Sequence, residues 1–167
     1  MRFRDILDGL SNSICAGEIA TDLGDNDIRT RAAVNASNIW LADGAVTCDT
    51  FIDPLRPTFW SATTPFAIEP TAVGTGPEQR RGFRWALGRG MFCNFNTIVP
   101  PNNVVCMEDN TFNAGILPPS SRHQGGSHVL LTDGAIKFVT DSIKAGNRRS
   151  AQVGLVAGML APGLQSP

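Results

Sequence analysis

The chain has 167 residues, enough for one domain that buries roughly two-thirds of its unfolded surface without help from metals or covalent staples. Hydrophobic residues make up 42% and charged residues only 17%, while 17 glycines and 11 prolines favour turns and short elements, so we expect an α+β, β-rich fold. A formal net charge of -1 argues against a nucleic-acid partner, no apolar run is long enough for a membrane-spanning helix, and "MRFRDILDG" lacks the apolar core of an export signal.

In chain order, Asp5 is expected to cap a short helix whose apolar stripe is Ile6, Leu7 and Leu10, with Gly9 limiting its length. Ser13 to Ala20 reads as a strand, with Glu18 at an outward or functional position. The polar "TDLGDNDIRTR" carries Asp22, Asp25 and Asp27 but has neither the spacing nor the closing glutamate of an EF-hand, and we expect a solvated loop. From Asn38 to Gly90, prolines and glycines leave pieces of strand joined by turns. "GTGPEQ" lacks the residues of a phosphate or dinucleotide loop and reads as a surface loop. Arg80, Arg81, Arg84 and Arg89 cluster, but Glu78 and several glycines interrupt them. Trp40, Trp60 and Trp85, with Phe59 and Phe83, are expected as core anchors ahead of a sugar-stacking platform. Pro100 and Pro101 stop any ladder and start an extended segment.

"SHVLLTDGAIKFV" is the strongest local signal. Asp133-Gly134 between two β-rich runs predicts a two-residue type I′ hairpin, pairing Thr132 with Ala135, Leu131 with Ile136 and Val129 with Phe138. Val129, Leu131, Ile136 and Phe138 then form the core face, and His128, Leu130, Lys137 and Val139 the opposite one. His123 precedes the strand, set off by Gly125 and Gly126, which let the backbone bend or pass close to a neighbour. Ser120, Ser121 and Ser127 lie nearby without a nucleophile elbow, and His123 with His128 could ligate a metal but shows no third close ligand. A structural histidine bonded to backbone or to a carboxylate is therefore expected, ahead of a base working with Asp133 or Glu18. Cys15, Cys48, Cys93 and Cys106 are too widely spaced for a zinc ribbon, leaving buried thiols or any of three disulfide pairings open.

His123, nine intervening residues and Asp133-Gly134, followed by "AIKFVTDSI", form one of three ordered motifs. The second is "FRDILDGLSNSICAGE", with Phe3, Asp5, Ile6, Asp8, Gly9, Ser11, Asn12, Ile14, Gly17 and Glu18 as the matched positions. The third is "FNTIVPPNNVVC", which contains Pro100, Pro101, Asn102 and Cys106. Together they resemble the prepilin-type-processing-associated H-x9-DG proteins, a bacterial family of pseudopilin-like proteins. The resemblance implies an antiparallel sheet with long proline-rich loops, displayed outside the cytoplasm, with no enzyme activity and no cofactor beyond a calcium ion for which Asp109 and Asp141 are placed by position. It implies self-association or assembly with other pseudopilin-like subunits, with an extracellular glycan- or solute-binding module as the alternative. An oxidising compartment implies a disulfide from Cys106 to Cys48 or Cys93. Family members begin with an apolar leader helix that this sequence lacks, implying an excised region or a variant. We expect residues 1–144 to form one globular domain and residues 145–167 a tail in which Ala151 to Leu160 make either a short docking helix or a frayed terminus.

Overall fold

A computed structural model describes residues 5–35, 46–68, 80–111 and 113–144. They build a β-rich fold from two three-stranded sheets and few helices. The first sheet takes β1 (Ile14–Gly17), β5 (Gly126–Leu131) and β6 (Ile136–Thr140), all antiparallel and in that order. The second takes β2 (Ala33–Val34), β3 (Cys106–Met107) and β4 (Gly115–Ile116), with β2 parallel and β4 antiparallel to β3. A single-turn helix, α1 (Gly90–Cys93), buries Met91 and Phe92. Residues 36–45, 69–79 and 145–167 are outside the described set, and with them Trp40, "GTGPEQ" and the tail.

The core surrounds the second sheet. Val104, Val105, Cys106 and Met107 are all buried, and because successive strand side chains point to opposite faces they serve two clusters. Val104 and Cys106 join Ile28, Ala33, Trp60 and Ile116 on one side; Val105 and Met107 join Ala32, Phe92 and Leu117 on the other. Each such aliphatic or aromatic side chain contributes about 1.5–3 kcal/mol on leaving water. The Cys48–Cys106 disulfide enters the first cluster, while Cys93 stays a free, half-buried thiol and Cys15 a free, exposed one. Trp60 anchors the same cluster, its indole N–H donating to the Arg31 carbonyl at 2.7 Å.

Several expectations are corrected. Among the described residues of the opening segment no α-helix forms: Gly9 has φ +87°, a 3-10 turn at Leu10–Asn12 follows, and Leu7 is 93% exposed. The segment is instead held by Thr132, whose hydroxyl donates to the Leu10 carbonyl and whose N–H donates to that of Ser13. Of the three carboxylates of the polar loop only Asp25 is exposed to solvent. Asp22 and Asp27 are 2% and 1% exposed; Asp22 accepts from Thr30 and Arg80, and Asp27 from Arg29. Trp85 and Phe83 are 78% and 43% exposed and anchor no core, because the turns that follow Gly82 leave α1 to fill the interior instead.

The hairpin forms one residue out of the predicted register. Its loop has three residues, closed by the Leu131 N–H to the Ala135 carbonyl at 2.9 Å and the Gly134 N–H to the Leu131 carbonyl at 3.0 Å. A type I′ turn needs positive φ at both central residues, and only Gly134 supplies it, at +89°. The Asp133 carboxylate caps the loop by accepting the Ala135 N–H. Val129 therefore faces Lys137, and His128 faces Phe138. Since a slip of one residue exchanges the faces, Val129 and Leu131 stay buried while Ile136 and Phe138 turn outward, 71% and 45% exposed.

Candidate functional site

At the open end of the hairpin, the backbone carries Glu18 just past the end of β1 and opposite His128, with the Glu18 N–H donating to the His128 carbonyl at 3.1 Å. The Glu18 side chain then folds back along the same strand. Its Oε2 accepts the His128 backbone N–H at 2.8 Å, a bond spanning 110 residues of sequence. Oε1 lies 3.4 Å from His123 Nε2 and 3.3 Å from His128 Nδ1, which stands 3.3 Å from Oε2 as well. The two rings meet edge-on with centroids 5.2 Å apart, and His128 also packs against its cross-strand partner Phe138 at 5.0 Å.

A hydrogen-bonded frame positions His123. Its N–H donates to Ser121 Oγ, which in turn donates to the Gly126 carbonyl. Asn102, at φ +59° in the turn made by Pro100 and Pro101, donates from Nδ2 to the same carbonyl and accepts the Ser121 N–H at 2.9 Å. Gly125 provides the left-handed residue that bends the loop, at φ +80°. Gly126 has to be glycine, because a Cβ there would stand 2.2 Å from the Val139 carbonyl oxygen.

Electrostatically the carboxylate is favoured in its ionised form. Partial burial pulls the Glu18 pKa up, but the His128 N–H, the His128 ring and the charge of both imidazoles outweigh it and hold the pKa below the ordinary glutamate value. His123 also lines a polar, open cleft of about 350 Å³ together with Asp25, Asp27, Arg29, Arg122 and Asp141.

Among the described residues, Glu18, His123 and His128 form a group whose potential ligand atoms all lie within 4.8 Å of one another. The expectation that the two histidines lack a third ligand is thereby overturned, since antiparallel pairing of β1 with β5 brings Glu18 to them. Asp133 does not join them: it caps the loop at the far end of β5, so the His-Asp-Gly spacing measures the length of one strand. Asp8, Gly9 and Asn12 lie in the opening segment that Thr132 holds against that same far end, with Asn12 donating to the Asp8 carbonyl. Asp109 and Asp141, the positions suggested for calcium, belong to no such group of three among the described residues. The disulfide joins Cys106 to Cys48 and leaves Cys93 aside.

The sequence offers His128 as a strand-face residue and, with His123, as half of a metal pair, and offers Asn102 only as part of a motif. The alternation of β5 could give His128 its face, but its closeness to Glu18 depends on long-range pairing. A family model described as a protein of unknown function (DUF1559) matches residues 1–146. No curated protein and no solved structure matches the chain.

Proposed function

The chain belongs to the DUF1559 family of proteins of unknown function, and from the three sequence motifs that resemble the H-x9-DG proteins we propose that it is a non-enzymatic structural or assembly subunit, pseudopilin-like, acting outside the cytoplasm. The observation that carries the reading is β6. Among the described residues no strand pairs with its outer edge, and Ile136 and Phe138 project from it into solvent. An unpaired edge with outward apolar side chains is a template for strand addition by a second chain. Lys137, between them on the other face, makes indiscriminate pairing costly. The Cys48–Cys106 disulfide supports the extracytoplasmic location, because such bonds persist where the medium is oxidising.

Light scattering over a concentration series tests the reading. Defined oligomers are expected for the native chain, and Phe138→Lys combined with Ile136→Lys should return it to monomer without unfolding it, both side chains being exposed. A native chain that stays monomeric at every concentration overturns the assembly reading for this chain. The exposed Trp85, beside the half-exposed Phe83, favours a second reading as a glycan- or solute-binding module, since an indole face in solvent suits stacking on a sugar ring.

A further inference from the structure

We infer that Glu18, His123 and His128 form a binding site for a divalent transition-metal ion of the Zn2+ type, with Glu18 Oε1, His123 Nε2 and His128 Nδ1 as the ligand atoms. The first argument is orientation. The second oxygen of Glu18 is held by the His128 backbone N–H, which turns the free oxygen to His123 Nε2 while His128 Nδ1 stands 3.3 Å from both carboxylate oxygens. Outer-shell hydrogen bonds of this sort fix ligating carboxylates in metal sites.

Spacing is the second argument. With metal–ligand bonds of about 2.0–2.1 Å, tetrahedral ligands stand roughly 3.3 Å apart. The two carboxylate-to-imidazole separations, 3.3 and 3.4 Å, already have that value. The imidazole nitrogens already lie within 4.8 Å of each other, and the His123 side chain, 59% exposed, has room to rotate toward an ion. Two imidazoles and one carboxylate suit Zn2+, Co2+ or Ni2+, whereas calcium takes six or more oxygens.

Three structural pieces would be tied by such an ion: the end of β1, the loop held by Asn102 and Ser121, and β5. All three sequence motifs thus contribute, two of them with ligands and the third with Asn102, which frames the His123 loop. Three protein donors also leave at least one coordination position open for water or for an incoming donor atom. The inference does not depend on the assembly reading, because stoichiometry per chain is read whatever the oligomeric state.

Isothermal titration of the full chain with Zn2+ alone, and then with Co2+ alone, tests it. One ion per chain is expected, weakened at least about tenfold in His123→Ala and in Glu18→Gln. Cys15 and Cys93 are free thiols that bind these metals themselves, so Cys15→Ser combined with Cys93→Ser should keep the full affinity. The Co2+ complex should lack a thiolate charge-transfer band. If Glu18→Gln fails to fold, His123→Ala decides, because that side chain is exposed and its loop is held by Ser121 and Asn102. Absent stoichiometric binding, undiminished binding in His123→Ala, or loss of binding with the thiols would each overturn the site.

Discussion

Arg81 is fully buried, a cation whose solvent has been replaced by carbonyl oxygens: it donates to that of Pro118 at 2.7 Å and to that of Asn94 at 3.0 Å. Burial pushes its pKa down to about 9, which still leaves it charged at neutral pH. Its Nε finds no partner among the described residues, so the site keeps part of the cost of burying a charge. Arg81→Met keeps the apolar volume but orphans the buried Pro118 carbonyl, and should lower stability by about 2 kcal/mol in urea denaturation. Arg84→Met, which loses only a guanidinium lying 5.8 Å from the Phe92 ring, should cost less than about 1 kcal/mol. The sequence presents the arginines as one basic cluster. It cannot distinguish the one spent inside the core, because Pro118 and Asn94 reach Arg81 only through tertiary packing.

Strand existence was legible where alternation was strong. β1 falls inside the segment read as a strand, and the hairpin arms fall where the pattern put them. Register was not, because Asp-Gly is compatible both with a two-residue I′ turn and with a three-residue loop ending in a left-handed glycine, and the two differ by one residue. The outcome gives two glycines different sensitivities. Gly126→Ala would drive a Cβ into the Val139 carbonyl and against the Phe138 ring, pushing β6 away at a cost of about 2–3 kcal/mol. Gly134→Ala meets no atom within 4 Å and should cost about 1 kcal/mol, for its positive φ alone. Thermal denaturation of the two variants side by side checks the order. The proposed helix after Asp5 failed for a related reason: Gly9 adopts a conformation that no right-handed helix contains.

At the scale of the whole molecule, the Cys48–Cys106 link closes a loop of 58 residues across the core around β3. In the chain-entropy account a loop of that length is worth about 4 kcal/mol, so reduction should lower thermal stability sharply, and Cys48→Ala with Cys106→Ala should reproduce the loss. Cys93→Ser should leave the response to reductant unchanged. The sequence by itself determined the β-rich class, the strands flanking Asp133-Gly134 and the three motifs, because composition, period-two alternation and turn chemistry are local properties. The tertiary structure alone decided the hairpin register, the burial of Asp22, Asp27 and Arg81, and the convergence of Glu18 on His123 and His128. Each of these depends on which distant segments pair, and pairing across 110 residues leaves no trace in the spacing of either partner.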